Sequence, residues 1–281
     1  MKTIAVIGTG IMGSGIAANF LKAKYPVIVW NRSRSRSKLL QKLGAIIAKT
    51  PKEAAQKADI IFEVTANDQS SQKVWLSKQG ILAGADKKKF LITCATLSVK
   101  WVDKLAKTCE RKSLTFFDMP MTGGRIGAET GNLTLLVGGN KKRLAGLKKD
   151  LKSIAGIVTY FGPAGSGARF KLILNTLQTI HIQGLGEVLN VAKKIGLNLK
   201  AVGKSLSARP GGIITAMGWR DYQKVPRPIN FSIEWITKDL SYAKRMASRQ
   251  KTPLLDQALK KYRLAVKKGL SQRDWTEVNK I

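Results

Sequence analysis

Residues 3–13, TIAVIGTGIMG, decide the fold. Thr3 to Ile7 is a β-favouring apolar run, Gly8-Thr9-Gly10-Ile11-Met12-Gly13 spaces three glycines as GxGxxG, and a helical period runs from Ile11 to Lys22. A strand that feeds a glycine turn and then a helix lets the backbone turn tightly. It also lets a pyrophosphate approach and aims the helix's first N–H groups at that anion. Gly8, Gly10, Ile11, Met12 and Gly13 therefore read as a dinucleotide-binding turn, against the plainer alternative of a glycine turn that holds nothing.

Outward from this stretch, Val27–Trp30, Ile60–Val64, Phe90–Cys94 and Leu114–Met119 read as further buried strands. Helix-period segments stand around Ser35–Leu43 and Val99–Cys109. Such alternation implies a parallel sheet wrapped by helices, completed by Leu133–Val137 and Val158–Phe161. From Ser166 to about Ile195 one proline-free apolar period predicts a single long helix. Shorter helices are predicted at Leu199–Ser207, Ile233–Ser248 and Leu254–Lys267, set apart by Arg209-Pro210-Gly211-Gly212, Pro226-Arg227-Pro228 and Pro253. The expected organisation is a dinucleotide-binding α/β domain at 1–164 and an all-helical domain at 165–281, with 165–195 as the linking helix.

The chain has 281 residues, and 50 Lys+Arg against 17 Asp+Glu give a net charge of +33. That field attracts anions, but the cations recur along the whole length rather than in a tail. The reading is a general surface bias rather than selection for an anionic partner, which argues against nucleic acid as the partner. No apolar run is long enough to span a bilayer, and the N-terminus lacks a signal-peptide cleavage pattern, so no membrane role is expected. Cys94 and Cys109 form no CxxC pair or Cys/His cluster, so no metal is expected and both thiols read as reduced in a cytoplasmic protein.

The end of the second strand carries Asn31-Arg32-Ser33-Arg34 where an acidic residue would grip the ribose of NAD. A carboxylate would repel a 2′-phosphate, whereas guanidinium and hydroxyl groups bind one, so Asn31, Arg32 and Ser33 predict NADP(H) over NAD(H). In DMPMTGG, residues 118–124, the hydroxyl of Thr122 beside Gly123 and Gly124 suits a carboxylate, or is an ordinary strand exit. In GSGARFKLILN, residues 165–175, Lys171 and Asn175 share one helix face amid apolar neighbours. A lysine so placed must snorkel, pair or work; desolvation favours the neutral amine that can exchange a proton with an alcohol.

Together these segments resemble the β-hydroxyacid dehydrogenase family, which includes 3-hydroxyisobutyrate dehydrogenase and the glyoxylate and succinic semialdehyde reductases. GxGxMG, DMPMTGG, GSGARFKLILN and Phe231-Ser232 followed by Lys238-Asp239-Leu240 match its motifs in order over nearly the whole chain. The resemblance implies a Rossmann-type domain followed by a helical one, and NADP-dependent oxidoreduction of a small β-hydroxyacid or its semialdehyde. Lys171 would be the general acid/base, Asn175 would hold the substrate, and Thr122, Gly123 and Gly124 would bind its carboxylate. Lys238 would close over substrate and nicotinamide, Thr96 would lie beside the nicotinamide ribose, and Thr65 to Asn67 would line the adenosine side. A homodimer or homotetramer with contacts along the long helix is likewise implied.

The chain departs from the family at Thr122, where serine is commoner, at Met121, and in Val64-Thr65-Ala66-Asn67, which lacks a Leu-Pro pair. Arg125 is placed to reach a second anionic group, and His181, ten residues beyond Lys171, lies too far along the helix to share its chemistry. Two rivals remain: an imine reductase-like NADPH enzyme, against which Lys171 argues, and a nonenzymatic nucleic-acid-associated protein on the same fold.

Overall fold

The computed structural model describes residues 1–208, 212–249 and 251–281, so Arg209, Pro210 and Gly211 of the predicted break lie outside the described residues. The chain divides into two compact units, Met1–Lys171 and Leu172–Ile281.

In the first unit the strands are β1 (Ile4–Ile7), β2 (Val27–Trp30), β3 (Ile46–Ile47), β4 (Ile60–Glu63), β5 (Phe90–Thr93), β6 (Thr115–Asp118), β7 (Met121–Thr122), β8 (Leu133–Gly139) and β9 (Ala155–Gly162). Between them lie α1 (Ile11–Lys22), α2 (Lys38–Lys42), α3 (Pro51–Lys57), α4 (Asp68–Leu76), α5 (Val99–Arg111), α6 (Gly124–Thr130), α7 (Lys141–Leu144) and α8 (Lys148–Leu151). The sheet runs β3-β2-β1-β4-β5-β6-β8-β7, with β9 on β8. β1 pairs in parallel with β2 and β4, so the strand order reverses there and the loops after β1 and β4 leave in opposite directions.

The first six strands are parallel as expected, while β8 runs antiparallel to β6 and β7. The chain turns back after β6 through β7 and the short α6, whose Ala128 carbonyl accepts from Asn19 Nδ2 of α1 at 2.7 Å. That return brings β8 in against the grain. Strand side chains alternate between two apolar layers: Ile4 and Val6 join one, Ala5 and Ile7 the other. Burial on both faces explains why these strands read as continuous apolar runs.

Helix α9 (Ser166–Lys194) begins in the first unit and runs on through the second. The second unit continues with α10 (Leu199–Ser207), α11 (Ile213–Gln223), α12 (Ile233–Ala247) and α13 (Pro253–Lys267), ending in a 3₁₀ turn over Trp275–Lys280. Ser232 caps α12 by accepting from the Trp235 N–H at 3.1 Å. Trp219 of α11 lies so close to α10 that a Cβ on Gly203 would sit 2.1 Å from its ring.

Candidate active site

The three glycines of the first turn have different reasons to be glycine. Gly8 has φ +105°, and a Cβ there would lie 2.3 Å from the Val64 carbonyl; one on Gly13 would lie 1.8 Å from the Gly8 carbonyl. Packing demands both. Gly10 has φ −73°, and a Cβ on it would meet nothing within 4 Å, so no packing requirement accounts for it. The open side of Gly10 adjoins the start of α1, which has neither a side-chain cap nor an acidic residue in its first turn. The first helical donor is Ser14, bonded to the Gly10 carbonyl at 2.8 Å, leaving earlier N–H groups outside the ladder. A cradle that a Cβ would fill, beside uncommitted donors, fits a pyrophosphate.

Asn31 ties this turn to the arginine loop. Its Oδ1 accepts from the Thr9 N–H at 3.1 Å, and its Nδ2 donates to the Ser33 carbonyl at 3.0 Å. The hydroxyls of Thr9 and Ser37 lie 3.1 Å apart. Arg32, Ser33 and Arg34 stay exposed at the loop's outer side, with no carboxylate at the strand end to oppose a phosphate.

Beyond β4, Thr65 is half-buried and donates its hydroxyl to Glu63; the Glu63 carboxylate also accepts from Thr93 Oγ1 at 2.5 Å. Asn67 caps α4 through a reciprocal pair with Ser70, accepting its N–H at 2.9 Å, so its side chain is committed to the helix start. Thr96 is half-buried in the loop after β5.

Asp118 ends β6 fully buried, and its two oxygens accept the N–H groups of Gly165 at 2.6 Å and Ala168 at 2.7 Å. It thereby fixes the first turn of α9 to the sheet, three residues before Lys171. Burial pushes the Asp118 carboxyl up to about 6, although both backbone donors pull the other way. Gly123 and Gly124 adopt φ +115° and +57°, which a side chain would oppose, and Thr122 pairs with Thr134 of β8. Lys171 is 9% exposed. Arg125 pairs with Glu129 one turn on, Nε to Oε1 at 2.6 Å.

In the second unit Asn175 Nδ2 donates to Asp239 Oδ2 at 2.7 Å, and Lys238 Nζ lies 2.8 Å from Asp239 Oδ1. Asp239, 1% exposed, thus joins the two residues of this unit that the sequence marks for substrate. The sequence reasoning gave no role to Asp239 or Glu63; only the Lys-Asp-Leu segment held a signal for the first. His181 is exposed. No group of His, Cys, Asp and Glu among the described residues could hold a metal ion, and no helix there is long and apolar enough to cross a membrane.

Two family models cover the chain: the NAD-binding domain of 6-phosphogluconate dehydrogenase over residues 3–162, and the NAD-binding domain of NADP-dependent 3-hydroxyisobutyrate dehydrogenase over residues 165–281. The mitochondrial 3-hydroxyisobutyrate dehydrogenase of Rattus norvegicus is 31% identical, across 98% of this chain and 85% of that protein. An NAD-dependent L-serine dehydrogenase of Pseudomonas aeruginosa is 29% identical, across 100% and 98%. The Mycobacterium tuberculosis 3-hydroxyisobutyrate dehydrogenase solved with L-serine shares the fold, with a TM-score of 0.87 at 23% identity, over 100% of this chain and 98% of that one.

Proposed function

From a chain that belongs to the β-hydroxyacid dehydrogenase family, we propose an NADP-preferring dehydrogenase or reductase of small β-hydroxyacids and their semialdehydes, with Lys171 as its acid/base. The observation that carries this reading is Lys171 itself: a lysine 9% exposed on a helix whose first turn is anchored to the sheet by a buried carboxylate. When bound, the nicotinamide supplies hydride exchange with the substrate carbon. The chain's own work is to hold the reactants and to move one proton at the substrate oxygen. Lys171 Nζ gives that proton to the forming alcohol, or takes it in the reverse direction.

Asn175, one helical turn further on, holds the same oxygen or the carboxylate, and Asp239 sets the orientation of its amide. Thr122 with the backbone of Gly123 and Gly124 binds the carboxylate. Arg32, Ser33 and Arg34 take the 2′-phosphate of NADP, and the open side of Gly10 takes the pyrophosphate. A relative named NAD-dependent makes cofactor choice a property of this chain's own loop. Cys94 and Cys109 are buried and unpaired, which supports a reducing, cytoplasmic setting.

The test follows NADPH and NADH absorbance against glyoxylate and succinic, methylmalonic and tartronic semialdehydes. Lys171→Ala should lower kcat at least about 100-fold without loss of NADPH binding. Replacing Arg32 and Arg34 by Ala should raise KM for NADPH about tenfold or more and leave NADH unchanged. Tight NADPH binding without turnover of any of these substrates would remove the semialdehyde assignment.

A further inference from the structure

Glu63, the last residue of β4, is fully buried, facing Ile7 of β1 and Thr93 of β5 in the sheet register. No ion pair among the described residues includes it, in a chain with 50 Lys+Arg. Its surroundings are uncharged donors instead: Thr93 Oγ1 donates at 2.5 Å, Thr65 Oγ1 donates to its other oxygen, and the Trp75 indole and the Ser71 hydroxyl also face it. A carboxylate so placed is costly to bury, and burial pushes its pKa up. Neighbouring strands hold their register through the backbone ladder and need no such group.

A hydroxyl owns one proton. While Glu63 is ionised it can only accept, so Thr65 gives it that proton and the Thr65 oxygen has only lone pairs left to offer. Thr65 is half-buried in the loop after β4, on the side of the sheet where the strand order reverses between β1 and β4 and ligands of such folds lie. On the other side of β1, the loop after β2 presents exposed arginines, which are donors only.

We infer that Glu63 is a positioning residue for the dinucleotide: it makes Thr65 a fixed hydrogen-bond acceptor, so the β4 side of the crevice takes a ribose hydroxyl and disfavours a phosphate. This rests on the cofactor reading above and adds a device that sets which end of the cofactor lies where. The phosphate is drawn to the donor-rich loop after β2, and the hydroxyl to the acceptor after β4. A glutamine at position 63 keeps the size but brings two donors of its own, so Thr65 no longer needs to point its proton inward.

The experiment titrates NADPH into wild-type protein, Glu63→Gln, Thr65→Val, Thr65→Ser and the Glu63→Gln/Thr65→Val pair, with melting curves for each. Glu63→Gln and Thr65→Val should each weaken NADPH binding about fivefold to tenfold. The pair should lose no more than either alone, Thr65→Ser should bind like wild type, and in turnover the change should fall on KM for NADPH more than on kcat. A Glu63→Gln protein that melts normally and binds NADPH as tightly as wild type overturns the proposal, as do losses that simply add in the pair. If Glu63→Gln fails to fold, the Thr65→Val and Thr65→Ser comparison decides alone, equal binding by both being the adverse result. A wild-type protein that binds neither dinucleotide would instead overturn the underlying functional reading, and this inference with it.

Discussion

Asp118 shows how a residue can serve position and pH response together. Its carboxyl, pushed up to about 6 by burial, holds a proton that the unfolded chain, near the ordinary 3.8, has already released. Between those values the folded state binds more protons, so Asp118's contribution to stability is full below pH 4, falls as pH rises through about 6, and is flat above. The difference is worth about 3 kcal/mol at most. Asp118→Asn should remove this slope: melting temperature compared at pH 4.5 and 7.5 should change less with pH in the variant than in wild type. The variant should also be less stable at both, because an amide nitrogen would face a backbone N–H of Gly165 or Ala168. Equal slopes in the two proteins would show that Asp118 titrates in the ordinary range.

The element that best separates folding from function is the entry to α1. Gly13→Ala drives a methyl group to 1.8 Å from the Gly8 carbonyl, a clash with backbone that cannot rotate away, so it should cost several kcal/mol or prevent folding. Gly10→Ala meets nothing in the protein; it should melt within a few degrees of wild type and yet weaken NADPH binding about tenfold or more, because the methyl occupies the pyrophosphate's approach. Calorimetry with NADPH distinguishes the two. This element was fully legible in the sequence, since strand, turn and helix are contiguous, and so were β2, β4 and β5 from their short apolar runs and α9 from its 29-residue helical period. The two-residue strands β3 and β7 were not, because two residues carry no period, and α4 was hidden because only Ser71, Val74 and Trp75 face its core. Among site residues, Lys171 and Asn175 stood out as polar groups on an apolar helix. Glu63 and Asp239 did not, because their partners Thr93 and Asn175 lie 30 and 64 residues away in the chain.

For the whole molecule, the net charge of +33 bears directly on self-association. Along α9 the exposed apolar residues Leu177, Val188 and Val191, with Ile195 just beyond, fall at the same helical repeat as half-buried Ile180 and exposed Gly184. Steps of three and four residues place them on one stripe, the pattern that packs against another helix, and a contiguous apolar stripe is rarely left in water. A second copy of this chain is the expected occupant, consistent with a homodimer or homotetramer. Two copies each carrying +33 repel one another, and salt screens that repulsion, the screening length falling from about 10 Å at 0.1 M to 3 Å at 1 M. Apolar contact is not weakened by salt in this way. Association measured by sedimentation velocity should therefore tighten with added salt between these limits, and Val188→Glu with Val191→Glu should leave a monomer that melts cooperatively. Weaker association at high salt would mean that ionic contacts hold the copies together, and a monomer at every concentration would assign the stripe to another partner.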